Sequence, residues 1–111
     1  MILNVNEARF VENPDASVVR DAITSLKTDE FAVLSSADHF YIQTYRDDAG
    51  HFELEYREGS PTEHYAVAAC DLAADDVARA FLAYLSGSAT WNAQWQWERL
   101  DFEDHERESF E

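Results

Sequence analysis

Residues 39–57 read His39-Phe40-Tyr41-Ile42-Gln43-Thr44-Tyr45-Arg46-Asp47-Asp48-Ala49-Gly50-His51-Phe52-Glu53-Leu54-Glu55-Tyr56-Arg57. Two runs of period-2 alternation flank a turn of Asp, Ala and Gly, the pattern of a β-hairpin. Phe40, Ile42 and Thr44 share one face with Phe52, Leu54 and Tyr56. Tyr41, Gln43 and Tyr45 share the other with Glu53, Glu55 and Arg57. Burying both apolar sets together fixes the pairing parity, because a slip of one residue would drive Glu53 and Glu55 into the core.

Working outward, Gly59-Ser60-Pro61 marks a further turn, and Glu63–Cys70 reads as a strand with Tyr65, Val67 and Ala69 inward. On the N-terminal side, Phe31-Ala32-Val33-Leu34 is a short apolar run best placed as a buried strand. An antiparallel meander results. Asn13-Pro14 opens a helix whose positions Val18, Val19, Ala22, Ile23 and Leu26 form one apolar stripe. Asp71 is placed to cap a second helix, with Leu72, Val77, Ala80, Phe81, Tyr84 and Leu85 inward and Gly87 as its left-handed stop. Residues 8–12 suit an edge strand, and the alternation through Trp91, Trp95 and Trp97 suits a final one. The predicted order is β-α-β-β-β-β-α-β. It corresponds to an α+β fold, a largely antiparallel sheet of about five to six strands with two helices packed on one face.

With 111 residues the chain is expected to form a single domain over 1–111, residues 98–111 being an acidic, frayed tail. Eight basic and 23 acidic side chains give a formal charge of -15. Such a field opposes nucleic-acid phosphates and anionic membrane surfaces and favours a basic protein partner. Cys70 is the only cysteine, so no internal disulfide can form, and a lone thiol suits the cytoplasm. Residues 1–10 hold no apolar signal-peptide core, and no window approaches the ~18 apolar residues of a membrane-spanning helix.

Motifs for catalysis are missing. The chain has no Gly-rich phosphate loop, no Gly-x-Ser-x-Gly elbow and no His-Glu-x-x-His. His39, His51 and His64 fall at strand beginnings, but His51 starts at the opposite end of the meander from the other two. They cannot converge within the ~2 Å that a metal ion demands, and each reads as an exposed histidine near a turn. His105 lies in the acidic tail. Glu53 and Glu55 lie side by side on one strand face, whereas glycoside hydrolysis needs carboxyls that flank a substrate from different elements. A Cys70–His64 dyad fails because six strand residues span about 20 Å. No catalytic residue, metal or cofactor is expected.

The sheet face away from the helices is left for water or a partner. Tyr41, Gln43, Tyr45, Glu53, Glu55 and Arg57 populate it, and Trp91 is expected to stand exposed in a nearby loop. Tyr offers large contact area at low entropic cost and Glu offers charge complementarity, so these seven are the candidate contact residues. Besides an enzyme or small-ligand carrier, which a convergent polar pocket containing His39 or His64 would favour, two other classes fit the composition. One is a nucleic-acid mimic whose carboxylates imitate phosphates, although its acids would need to form a one-sided stripe. The other is a homodimer that buries the Tyr face and is acidic only for solubility.

The segment Val77–Gly87, followed by Trp97-Glu98, resembles the C-terminal end of the immunity-protein-1 family, small bacterial proteins of polymorphic toxin systems. The shared pattern is a helix ending in Phe81-Leu82-x-x, a glycine, a turn, and a strand carrying Trp-Glu. Tyr41-Ile42-Gln43 and Leu54–Gly59 also resemble strands of such proteins. The Arg-Pro expected soon after the glycine is absent, and a related small bacterial family matches as well. The resemblance implies a cytoplasmic protein that covers a basic toxin domain and has no chemistry of its own.

Overall fold

A computed structural model describes residues 1–60, 63–67, 72–88, 91–93 and 95–99. Two helices, α1 (Ala16–Thr24) and α2 (Ala74–Leu85), accompany seven strands. The strands are β1 (Ile2–Val5), β2 (Arg9–Glu12), β3 (Phe31–Ala37), β4 (Phe40–Arg46), β5 (Phe52–Glu58), β6 (His64–Val67) and β7 (Trp97–Arg99). They form one sheet in the order β2-β1-β3-β4-β5-β6-β7, with every described neighbour antiparallel. The fold is therefore α+β, with more strands than the sequence suggested.

The added strand is β1, only four residues long and interrupted by Asn4. It is placed between β2 and β3, pairing Leu3 with Val11 on one side and Leu34 on the other. Asn6 and Glu7 turn the chain back in left-handed conformation, φ 58° and 55°. An asparagine tolerates that region better than most residues. The hairpin at 39–57 has the anticipated parity, since Ile42 faces Tyr56 and Thr44 faces Leu54. Its strands begin one residue later than expected. His39 occupies a left-handed turn position at φ 65°, so β4 starts at Phe40, and β5 starts at Phe52.

Helix α1 is capped by Asp15 rather than Asn13. The Asp15 carboxylate accepts from the Val18 N–H at 3.0 Å and from the Ser17 hydroxyl at 2.8 Å, which holds its pKa below the usual range. Asn13 instead takes a left-handed turn at φ 50°. Asp71, expected to cap α2, lies outside the described residues, as do Cys70, His105 and the tail beyond Arg99. The Asp76 carboxylate accepts from the Ala73 N–H at 3.1 Å and anchors the start of that helix. Gly87 follows in left-handed conformation, as a helix stop of this kind requires.

Both helices pack on the sheet face that carries Leu3, Leu34, Ile42, Leu54 and Tyr56, joined by Val19, Ile23, Val77 and Phe81. Toward β7 the core becomes aromatic. Tyr56 stacks on Tyr65 at 5.0 Å and meets Trp97 edge-on at 4.6 Å, while Trp91 lies 5.0 Å from Tyr84. The expected strand from Trp91 is a turn over 91–93, and β7 covers only Trp97–Arg99. The Trp97 indole donates to Asn92 O at 2.7 Å, and the Asn92 amide donates to the Tyr56 hydroxyl at 3.1 Å. These bonds tie the turn to the sheet. No described helix is long and apolar enough to cross a membrane.

Candidate functional site

The sheet face opposite the helices contradicts the expected wet surface in its middle. Tyr41 is 1% exposed, Gln43 2% and Glu55 8%. They sit on the central strands β4 and β5, and their side chains lie across one another. Gln43 Nε2 donates to Glu55 Oε1 at 3.1 Å, and His64 Nε2 lies 2.9 Å from that same oxygen. The Tyr41 ring meets the His64 ring edge-on at 6.1 Å. His64, expected exposed beside a turn, is 1% exposed. Tyr41, Gln43 and Glu55 are thus packed side chains out of a partner's reach.

Sequence reading located His64 on this face but mistook its depth, because alternation gives the side and not the cover. Arg57 is half-buried in the same row, opposite both Tyr41 and His64. Trp91 is also corrected. It is half-buried against Tyr56 and Tyr84, because the turn at 91–93 folds it onto the aromatic core rather than into solvent.

Tyr45 and Glu53 remain accessible, and they face each other across β4 and β5. The structure adds residues that the sequence did not nominate. Tyr45 donates to Asp29 Oδ1 at 2.6 Å. Asp29 reaches this point because its own backbone N–H bonds to Arg46 O at 2.6 Å, closing the loop before β3 onto the end of β4. Asp48 lies on the adjoining turn beside the Asp29 carboxyl, to which it can donate only when protonated. The turn is built by Asp47, whose carboxylate accepts from the N–H groups of Ala49 at 2.9 Å and His51 at 3.0 Å. Gly50 completes it at φ 87°.

Charge is concentrated here enough to move proton affinities. The Tyr45 hydroxyl is pushed up to about 12, first by its bond to Asp29, then by burial, then by the charges of Asp29, Asp48 and Glu53. Asp48 is raised by its bond to Asp29 and the charges of Asp29 and Asp47. Asp29 is lowered, because Tyr45 and Asp48 both donate to it. Arg46, next to Tyr45 in β4, is turned to the other sheet face. Its guanidinium bonds Leu26 O at 2.6 Å and Gly50 O at 3.1 Å and stacks over Phe52. That leaves a negative sheet corner of Asp29, Asp48 and Glu53 around one tyrosine. A single pair of residues in Asp47-Asp48 hinted at it, whereas Asp29 arrives only through tertiary pairing.

Among the described residues no group of three His, Cys, Asp or Glu is arranged to hold a metal ion. No family model, no curated protein and no solved structure matches this chain.

Proposed function

We propose that this chain is a cytoplasmic binding protein that neutralises a basic toxin domain by covering it, in the manner of an immunity protein. The observation that supports this reading is the acidic corner around Tyr45. Concentrated carboxylates with one tyrosine in their midst suit a cationic protein surface, steering its approach and offering a ring to pack against. Tyr45 and Glu53 are retained from the sequence reading, with Asp29 and Asp48 added. Inhibition by occlusion requires no chemistry from the binder.

The test is affinity capture with tagged protein from the native host lysate at about 50 and 300 mM salt, across which the screening length shortens. The proposal expects one stoichiometric basic polypeptide with a toxin-like domain. With that partner purified, the double reversal Asp48→Lys and Glu53→Lys should slow association at least ~10-fold and flatten its salt dependence. Unchanged association in the double variant removes this corner as the contact. Capture of a DNA-binding protein instead favours a nucleic-acid mimic, and no capture at either salt leaves acidity as a device for solubility.

A further inference from the structure

Three positions from β4 in the sheet, β2 is the outermost described strand. Asn13 N donates to Met1 O at 2.7 Å, so the pair Met1/Asn13 is hydrogen-bonded. Alternation along the β1–β2 register then turns the backbone groups of Val11 and Arg9 toward β1 and those of Phe10 and Glu12 away from it. The same phase holds on the other side of β1, where Asn6 N donates to Phe31 O at 3.1 Å. Two N–H and two C=O groups therefore point outward from β2, and among the described residues nothing pairs with them.

Side chains at this edge add chemical detail. Phe10 is 61% exposed and Ile2 45%, two of the three large apolar side chains that stand exposed among the described residues. Both lie on the sheet face opposite the helices. Beside them an open cavity of about 290 Å³ is lined by Met1, Ile2, Glu12, Ser35, Ser36 and Asp38. Glu12 and Asp38 form no ion pair among the described residues. The cavity's one cation, the Met1 ammonium, is bonded to Asn13 Oδ1 at 3.1 Å.

We propose that the β2 edge takes an extended cationic peptide segment of another protein as an eighth, antiparallel strand. The outward backbone groups require a strand. Phe10 and Glu12 are two residues apart on one face, so the peptide residues opposite them are also two apart. The residue opposite Phe10 must be apolar to cover the ring. The one opposite Glu12 must be Lys or Arg, whose apolar stem crosses toward Ile2 and whose charge pairs with Glu12 in the field of Asp38 across the cavity. Because an antiparallel strand runs from Glu12 toward Phe10, the order is Lys or Arg, any residue, then an apolar residue. A second copy of this chain is disfavoured by its own charge of -15. This surface is independent of the acidic corner and of the proposed toxin binding.

The probe is a blocked pentapeptide, Thr-Lys-Thr-Ile-Thr, titrated into the isotope-labelled chain and followed by amide shifts. The control is its isomer Thr-Lys-Ile-Thr-Thr, which places Lys and Ile on opposite faces. Saturable shifts centred on Phe10 and Glu12, with Kd below about 1 mM, are expected. The isomer should bind at least ~5-fold more weakly, as should the double variant Glu12→Gln and Asp38→Asn. Equal binding of both peptides overturns the proposal, as does the absence of saturation. Shifts centred on the Asp47–Gly50 turn would also overturn it, by showing simple attraction to the acidic corner. A concentration-dependent dimer without peptide, abolished by Phe10→Pro, would overturn it in favour of a second copy.

Discussion

His64 Nε2 and Glu55 Oε1 stand 2.9 Å apart on neighbouring strands, and they meet diagonally, since Glu55 pairs with Ala66 and His64 with Arg57. The same oxygen accepts from Gln43 on the other side, so one carboxylate ties β4, β5 and β6 together. Glu55→Leu deprives both donors of their acceptor inside a buried row. Removing one partner of a buried pair is severe, and the loss should be about 2–4 kcal/mol, read as a lower urea midpoint at unchanged slope. Glu55→Gln retains one acceptor oxygen and should lose less than half of that.

Tyr45 offers a spectroscopic check on the acidic corner. Its hydroxyl is raised from 10.0 to about 12, chiefly by the bond to Asp29. A pKa raised by folding contributes stability that is fully present below 10 and is lost as pH climbs from about 10 to about 12. Tyr56, Tyr65 and Tyr84 are raised as well, so late phenolate absorbance comes from several tyrosines, and the share lost in Tyr45→Phe is the titration of Tyr45. Asp29→Asn should bring that titration back toward 10. Asp29 itself is lowered, so its contribution runs oppositely, present above the ordinary carboxyl range and lost as pH falls below it.

Asp48 makes the reverse prediction. Its pKa is raised by Asp29 and Asp47, so folding disfavours its charge. The sign implies a penalty above its ordinary value of 3.8 that vanishes in acid. Asp48→Asn should raise Tm at pH 7 and leave it unchanged near pH 3. If the corner is a contact for a basic protein, that same substitution should weaken association while it stabilises the chain.

Gly59 and Gly87 both have positive φ, 92° and 76°. A Cβ at Gly59 would stand 3.0 Å from Phe40 Cζ, whereas one at Gly87 would meet nothing within 4 Å. Gly87→Ala should cost about 1 kcal/mol from backbone conformation alone. Gly59→Ala should cost about 1–2 kcal/mol more, because the ring must move. Placing Phe40→Leu in the Gly59→Ala background should recover part of the difference, which a double-mutant cycle by urea denaturation measures.

The hairpin at 39–57 was legible in the sequence because period-2 alternation and a turn rich in Asp and Gly act locally, and parity followed from keeping Glu53 and Glu55 out of the core. The stripes of α1 and α2 were legible for the same reason. Strand β1 was not, since it is four residues long, Asn4 interrupts its apolar residues, and its place depends on β3, distant in the chain. Three of the seven candidate contact residues lie buried for one reason. Alternation assigns Tyr41, Gln43 and Glu55 to a face but says nothing of what packs there, whereas Tyr45 and Glu53 lie nearer the strand ends and stay accessible. Asp29 carries no local signal, because only the closure of its loop onto Arg46 brings it to Tyr45.

The position of β1 between β2 and β3 has a consequence for synthesis. Its residues leave the ribosome ahead of both neighbours, and one of those neighbours lies beyond α1 and emerges some thirty residues later. Until then β1 has only the short ribbon with β2, and an isolated two-stranded ribbon is marginal in water. The meander from β3 to β6, by contrast, can zip from one hairpin to the next as it appears. Strand β1 thus waits for a partner made after α1, and a nascent chain stalled before β3 would leave Leu3 and Val11 uncovered.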